Sequence, residues 1–396
     1  MKRNEPNYLS DLPKSVLFTI HRNEDVDFVP KYTHQLIPSL TQIYGYKNLC
    51  LHFRFSASCK SCLFTIHCDR VVSNLQDSPF QPQILYKAIS QNFEEETFSR
   101  DRSAFERICE EEKTGNKKFQ PVGVLISSLA YGNHKYDLYL VTLQNQDEKD
   151  YIKSIQHFAL WFLDGSKTID TNDPNWQVLI IYERIKLEAE NKNNNQFERK
   201  PLNDNEYYYS LIGFASFRIF RLLNGNARAR ISQFVLLPEI STPFVGIKLL
   251  EQIYHVAHSI PNISEITTES PSDDLQFLIN VYNLIRFSKI ANIESYFSQK
   301  LTKSDFGELK SLLRISNRQL WICFELYSFS IFFLSSEQDS DQHQKLEILI
   351  QERLKRECDE KEIGAMEQRI NAVMQEYYLV LDYICKFEKY FEFKKN

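Results

Sequence analysis

The sequence has 396 residues, enough for two or three domains, and its 43% hydrophobic and 25% charged residues are typical of a soluble globular protein. The formal net charge of −5 argues against broad electrostatic binding to nucleic acid. No apolar run reaches the ~18 residues that a membrane span needs, and no apolar segment follows the basic N-terminal residues. We therefore expect neither a membrane span nor a secretory signal, and a reducing compartment by default.

The first part of the chain, residues 1–115, predicts a small α+β domain. Alternating apolar residues indicate strands at 15–22, 48–57 and 62–72. The charged stretch 97–118 predicts a helix followed by a loop, which marks the first domain boundary.

Four cysteines lie close together in this domain: Cys50, Cys59, Cys62 and Cys68. Cys59 and Cys62 form a single C-x-x-C pair, whereas a structural zinc site usually needs a second pair. Because the flanking residues alternate as in strands, we expect the pair at the tip of a hairpin. The sequence favours half-buried thiols and no metal, with zinc as the open alternative.

The central part, residues 116–285, predicts a sheet. Strands are expected at 121–129, at 136–145, in WQVLIIYERIKL (176–187), in YYYSLIGFASFRIF (207–220) and in SEITTE (264–269), with a helix at about 149–163. The polar run NKNNNQ (191–196) predicts a connector. The stretch ISQFVLLPEISTPFVGIKLLEQIY (231–254) predicts a strand, a tight loop and a helix, a geometry that holds phosphates on backbone N–H groups.

The last part, residues 286–396, predicts an all-helical domain. Helices are expected at 303–314, 317–334, 343–358 and 360–390. The fold class is therefore α+β, with a mixed, mostly antiparallel central sheet flanked by helices. A small α+β domain precedes this sheet and a helical domain follows it.

Several stretches resemble the catalytic subunits of the type B histone acetyltransferases, a branch of the GCN-five-related acetyltransferase superfamily. They are FVPKYTHQL with YGYKNL (28–49), FQPVG (119–123), WFLDGSKTIDTNDPNWQVLIIYER (161–184), LIGFASFRIF…RARISQFVLLP (211–238) and ITTESPS (266–272). Together they follow the family's order and cover most of the chain. The resemblance implies an acetyl-CoA-binding central domain and acetyl transfer to lysines in the N-terminal tail of newly made histone four.

A lysine amine must lose a proton before it attacks a thioester, because its free pKa is about 10.4. The resemblance implies Glu269, at the end of SEITTE, as the general base. Asp164 stands where the family has a longer acidic residue that assists deprotonation, and Ser270 replaces an acidic residue beside the base. From the residues alone, a capping or salt-bridging role for Glu269 and a turn at Asp164 are the alternatives.

By the same resemblance, the backbone of Phe234, Val235 and Leu236 pairs with the pantetheine arm of acetyl-CoA, and the loop 241–247 wraps its pyrophosphate. The implied contact residues are Ser241, Thr242, Pro243, Phe244, Val245, Gly246, Ile247 and, after Pro271, Ser272. Gly246 keeps the second glycine of the superfamily pattern, whereas Phe244 replaces the first and is expected to hinder the approach of the backbone. The open alternative is a plain connection in which Pro243 begins the helix.

The resemblance assigns the histone tail to Trp176, Arg218, Ile219 and Phe220. Arg218 and Arg221 do not favour a basic tail, and Ser39-Leu40-Thr41 is neutral where relatives carry an acidic loop. The implied partners are histone four with its histone-three partner and a WD-repeat histone-binding subunit, with no direct contact to nucleic acid or membrane. The implied location is nucleus and cytoplasm.

These departures keep two other functions open. The chain could be a catalytically weak or inactive histone-binding subunit of the same fold, which the altered glycine loop motivates. It could also be an acetyltransferase that acts on another amine.

Overall fold

The computed structural model describes residues 8–35, 42–72, 81–91, 93, 97–114, 117–187, 207–298, 302–334, 340–357 and 366–387. Ser39-Leu40-Thr41 and the connector NKNNNQ lie outside these ranges. The chain divides into two compact units, Met1–Arg218 with Ser232–Thr242, and Ile219–Ile231 with Pro243–Asn396. The organisation into domains 1–115, 116–285 and 286–396 stays a prediction.

The N-terminal strands are β1 (Leu9–Asp11), β2 (Val16–Ile20), β3 (Val26–Phe28), β4 (Gln42–Tyr44), β5 (Tyr46–Lys47), β6 (Cys50–Phe55), β7 (Cys62–His67), β8 (Arg70–Val71) and β9 (Phe98–Ser99). Five of them form a sheet in the order β3-β2-β6-β7-β9, and β1–β4 and β5–β8 are two small pairs. The helices of this region are α1 (Pro82–Ser90) and α2 (Arg102–Lys113). The three predicted strands and the predicted helix at α2 are confirmed, whereas α1 was not predicted.

The larger sheet consists of β10 (Val124–Tyr131), β11 (His134–Val141), β12 (Trp176–Lys186), β13 (Tyr207–Arg221), β14 (Ala227–Leu236) and β15 (Ile263–Thr268), in chain order. Helices α3 (Gln146–Ile155) and α4 (His157–Phe162) precede β12, and α5 (Pro243–Ser259) precedes β15. Strands β10 to β13 pair antiparallel, and β14 and β15 pair parallel. This mixed, mostly antiparallel sheet confirms the predicted fold class.

The parallel pair determines the geometry of the region predicted to bind a cofactor. Parallel neighbours need a crossover connection, and α5 supplies it between β14 and β15. Thr268, the last residue of β15, pairs with Ile231, whereas β14 continues through residues 232–236. The end of β14 therefore extends beyond the end of its parallel neighbour.

An aromatic cluster fixes α4 against the N-terminal sheet. The ring centroid of Phe18 lies 4.9 Å from that of Trp161, and Phe55 lies 4.9 Å from Phe158. All four side chains are buried, and aromatic pairs in such edge-on or tilted contacts add to the stabilisation from burial. The turn that follows α4 is thereby held on a rigid support.

The C-terminal helices are α6 (Asp273–Ser288), α7 (Ser295–Ser298), α8 (Lys303–Leu313), α9 (Asn317–Leu334), α10 (Ser340–Glu357) and α11 (Met366–Lys386). Helices α8 to α11 confirm the four predicted ones. Among the described helices, none is both long and apolar enough to cross a membrane.

A buried ionic group joins α9, α10 and α11. The carboxylate of Glu325, which is fully buried, accepts hydrogen bonds from Arg353 Nε at 2.8 Å and from Tyr377 Oη at 2.6 Å. Arg353 Nη1 also donates to Glu357 at 3.1 Å. Each charge in this group is hydrogen-bonded, which is the condition under which a buried charge is tolerated.

We expect Glu325→Ala to lower the free energy of unfolding by about 3–5 kcal/mol, because it leaves the Arg353 charge buried without its carboxylate. Urea unfolding followed by circular dichroism measures this change. The matched control is Glu106→Ala, which breaks an exposed ion pair with Arg102 on α2 and should change stability little. Equal unfolding curves for the Glu325 variant and the parent would contradict the assigned role.

Candidate functional site

The end of β14 lies against an irregular part of β13. Ile181 of β12 pairs with Gly213, and the next residue, Tyr182, pairs with Leu211, so Ile212 is an extra residue in β13. The N–H of Leu237 donates to the Ile212 carbonyl at 2.9 Å. A β-bulge of this kind redirects a strand, and here it lies beside the backbone that was predicted to pair with pantetheine.

Gly213 is required where β13 meets the end of β14. A Cβ on this residue would collide with the carbonyl oxygen of Val235 and lie 3.0 Å from the Leu236 Cα. Phe234 and Val235 are buried and Leu236 is half-buried. The missing side chain therefore sets the position of the very backbone that was predicted to contact the cofactor.

The predicted pyrophosphate loop is shorter than the sequence suggested. Helix α5 begins at Pro243, so residues 243–247 lie in its first turns, and the open alternative is confirmed for Pro243. Phe244 and Ile247 are 2% and 1% exposed, and Val245 and Gly246 are also buried. Of the residues predicted to wrap the pyrophosphate, only Ser241 and Thr242 lie in the connection before α5, and both are half-buried. Phe244 is thus a core residue of α5 rather than an obstructing side chain in a loop.

Glu269 follows directly after β15, and its side chain is exposed. Its N–H donates to the Ile231 carbonyl at 2.8 Å, which fixes its backbone at the point where the parallel pairing stops. Ser270 adopts a φ of 41°, and the chain then turns into α6. Ser272 is the N-cap of α6, and its Oγ accepts a hydrogen bond from the Leu275 N–H at 3.3 Å. A capping role is therefore shown for Ser272, and its cofactor contact stays a prediction.

Asp164 lies in an exposed turn after α4, followed by Gly165 at a φ of 64°. The segment after this turn is held by Gln233 of β14, a buried side chain whose Nε2 donates to the Lys167 carbonyl at 2.8 Å. Ser216 Oγ donates to Gln233 Oε1 at 3.0 Å. Gln233 was not predicted from the sequence, in which its signal is a polar residue directly before the apolar run Phe234–Leu236.

The predicted substrate residues are half-buried, and the positive charge of Arg218 is compensated. Trp176 and Arg218 are cross-strand partners, and Arg218 Nε donates to an Asp173 carboxylate oxygen at 2.8 Å. The hydrogen bond from the Asn175 N–H, together with the Arg218 guanidinium, lowers the pKa of Asp173. The concern that Arg218 repels a basic tail is therefore reduced. The residues of the other unit, Ile219 and Phe220, are also half-buried.

The cysteine pair lies at a hairpin tip, as predicted, but its thiols are more buried than expected. Cys59 precedes β7 and Cys62 begins it, and they are 1% and 3% exposed. Burial raises the pKa of both thiols well above the usual value, so they are protonated at neutral pH. Among the described residues, no group of three or more His, Cys, Asp or Glu side chains is arranged to hold a metal ion.

A cavity of about 880 Å³ lies elsewhere in the first unit, beside α2 and α3, and Glu112 and Tyr151 contribute to its wall. Glu112 accepts hydrogen bonds from Ser56 Oγ at 3.0 Å and from Ser58 Oγ at 2.9 Å, and burial raises its pKa. None of the residues predicted for catalysis, cofactor or substrate lines this cavity. It is therefore distinct from the predicted site.

Comparisons with known proteins agree with the resemblance. Residues 13–164 match the family model described as "Histone acetyl transferase HAT1 N-terminus". A histone acetyltransferase type B catalytic subunit of Dictyostelium discoideum is 25% identical over 87% of this chain and 71% of its own length. The subunit of the same name from Kluyveromyces lactis is 24% identical over 70% of this chain and 67% of its own length. The subunit from Mus musculus is 20% identical over 84% of this chain and 76% of its own length. A solved aminoglycoside acetyltransferase from a soil metagenomic sample aligns with 39% of this chain and 88% of its own at 11% identity, with a TM-score of 0.24, too low to support an argument.

The mixed sheet, the strand–loop–helix of β14 and α5 and these relatives define the chain as an acetyltransferase. More specifically, it is similar to the histone acetyltransferase type B catalytic subunits, whose N-terminal family model it matches over residues 13–164. The sequence resemblance to this family is thereby confirmed, whereas the roles of the individual site residues stay predictions.

We expect Gly213→Ala to displace the end of β14, lower the free energy of unfolding by about 1–3 kcal/mol and weaken the binding of acetyl-CoA. Urea unfolding and isothermal titration calorimetry measure the two effects. The matched control is Gly307→Ala in α8, where a Cβ meets no atom within 4 Å and helix propensity adds about 0.5–1 kcal/mol. If the Gly213 variant binds acetyl-CoA as the parent does, the end of β14 is not part of the cofactor site.

Proposed function

We propose that the chain transfers the acetyl group of acetyl-CoA to a lysine side chain in the N-terminal tail of newly made histone four. The main support is the position of Glu269, an exposed carboxylate directly after β15 whose backbone is fixed by the hydrogen bond to Ile231. A base must be reachable by substrate and firmly held, and Glu269 meets both conditions.

The residues present fit the binding of acetyl-CoA. The backbone of Phe234, Val235 and Leu236 continues beyond β15 and offers amide and carbonyl groups to the pantetheine arm. The first turn of α5 carries the positive end of the helix dipole, worth about 1 kcal/mol per favourable interaction with a phosphate. Pro243 removes one N–H donor from that turn, which weakens but does not abolish such a site.

In this proposal the reaction is a direct transfer, for which acetyl-CoA supplies an activated thioester. Glu269 takes the proton from the lysine ammonium, with Asp164 assisting from the turn after α4. The neutral amine then attacks the thioester carbonyl and forms the C–N bond, the C–S bond breaks, and the CoA thiolate takes up the second proton that the nitrogen loses as it becomes an amide. Cys59 and Cys62 are protonated and buried, so neither is suited to act as a nucleophile.

We extend the proposal, on the family resemblance alone, to partners and location. The partners would be the pair of histones three and four and a WD-repeat histone-binding subunit. The locations would be nucleus and cytoplasm.

The loss of one donor at Pro243 motivates a second candidate function, a histone-binding subunit with weak or absent catalysis. Calorimetric titration with acetyl-CoA separates the two. Binding at micromolar to submillimolar concentration is the result expected for the transferase. No heat of binding at millimolar acetyl-CoA would leave only the binding role.

We predict that Glu269→Gln lowers turnover about 10²-fold or more with a histone-four tail peptide, because the amide cannot accept the proton. The affinity for acetyl-CoA should stay nearly unchanged. Mass spectrometry of the peptide measures turnover, with Glu308→Gln on an exposed face of α8 as the control. Unaltered turnover in the Glu269 variant would assign the base to another residue.

A further inference from the structure

The turn that carries Asp164 has little packing of its own. Asp164 and Gly165 are exposed, and residues 166–175, which lead to β12, form neither a helix nor a strand. A Cβ built on Gly165, whose φ is 64°, would meet no atom of the described residues within 4 Å. The position of this turn therefore depends on what holds the chain on either side of it.

Gln35 holds the chain on the side of α4. Its Nε2 donates to the carbonyl oxygen of Leu163, the residue directly before Asp164, at 2.7 Å, and to that of Leu160 at 2.8 Å. The last carbonyls of a helix have no partner within the helix, so donors from elsewhere must satisfy them. The half-buried Gln35 supplies such donors at the point where α4 ends and the turn begins.

Two other glutamines hold the chain on the far side of the turn. Gln233 Nε2 donates to the carbonyl of Lys167, three residues after Asp164, at 2.8 Å. The Ile169 N–H donates to Gln156 Oε1 at 3.2 Å. Gln233 is 3% exposed, and a hydroxyl of β13 donates to its Oε1 at 3.0 Å. A buried amide that is itself hydrogen-bonded keeps its place, and it keeps the carbonyl that it binds in place as well.

The position of the backbone matters more for Asp164 than for the longer acidic residue of the resembled family. An aspartate has one rotatable side-chain bond fewer than a glutamate, so its carboxylate compensates less well for a displaced backbone. A group that accepts a proton must come within about 3 Å of the atom that gives it up. A displacement of about 1 Å can cost about 10²-fold in rate.

We propose that Gln35 and Gln233 are positioning residues for Asp164. They act from opposite sides of the turn, through the carbonyls of Leu163 and Lys167, and neither takes part in the proton transfer itself. This inference rests on the proposed transfer to lysine and on the assisting role of Asp164. It adds the residues that determine where this carboxylate stands.

The test is a double-mutant cycle on the acetylation of a histone-four tail peptide. Gln35→Met and Gln233→Met remove the amide while nearly keeping the volume of the side chain. We expect each to lower kcat about tenfold, because the turn is displaced. Asp164→Ala should lower kcat about tenfold or more. Because Gln35 lies outside β14, Gln35→Met should keep the affinity of the parent for acetyl-CoA, which calorimetry measures.

The decisive comparison is made in the Asp164→Ala background. If the glutamines act through Asp164, adding Gln35→Met or Gln233→Met to Asp164→Ala changes kcat by no more than about twofold. A merely structural contribution is independent of Asp164, so the two losses multiply and the double variant falls about a hundredfold below the parent.

Gln319→Met is the matched control. It removes a buried amide of α9 whose Nε2 donates to Asn280 at 3.0 Å, and it should keep the kcat of the parent. Melting temperatures verify that each variant is folded. If one of the two positioning variants does not fold, the other completes the cycle.

Three results overturn the inference: unchanged kcat in both Gln35→Met and Gln233→Met, losses that multiply with that of Asp164→Ala, or full turnover in Asp164→Ala itself. In each of these cases the parent still acetylates the peptide, so the proposed function stands. A parent that acetylates no lysine peptide has a different signature and overturns the proposed function together with the positioning role.

Discussion

The parallel pairing of β14 with β15, and the point at which it stops, is the constraint on which the account depends. Ile231 and Thr268 are the last paired residues, and the hydrogen bond from Glu269 to Ile231 closes the ladder. β14 then continues to Leu236. Because parallel strands require a crossover, the same pairing requires α5, and thus a helix N-terminus shortly after β14. One register therefore determines where the β14–β15 ladder ends and where Glu269 follows it, which is the position that the proposed base needs.

The residues discussed above have two kinds of role. Some fix the position of the backbone, and others carry the side chains that we propose to act on the substrate. Gly213 fixes the position of the backbone because it has no side chain beside Val235. Gln233 does so through buried hydrogen bonds to Ser216 and to the Lys167 carbonyl. Glu269 and Asp164, which we propose to take part in proton transfer, are exposed, as that role requires. Phe244 departs from the superfamily's glycine pattern, but its side chain is buried in the first turn of α5 and does not obstruct a loop.

Much of the fold could be predicted because it is encoded locally. Runs of apolar and aromatic residues marked β12 and β13, and helical spacing with few breakers marked α8 to α11. Helix α1 was missed because nine residues give little periodic signal. The site was harder to predict, because its contacts join residues that are distant in sequence. Gln233 binds a carbonyl 66 residues away, and the Glu269 N–H reaches the Ile231 carbonyl only because β14 and β15 pair. The family resemblance named Glu269 and Asp164, but the burial of Phe244 and the capping role of Ser272 required coordinates.

The most direct test of the central claim is hydrogen–deuterium exchange of the segment 232–247 with and without saturating acetyl-CoA. If the end of β14 and the first turn of α5 hold the cofactor, exchange in this segment slows when acetyl-CoA is added, while peptides from α9 to α11 exchange at the same rate. Exchange in 232–247 that does not change at millimolar acetyl-CoA would contradict the account.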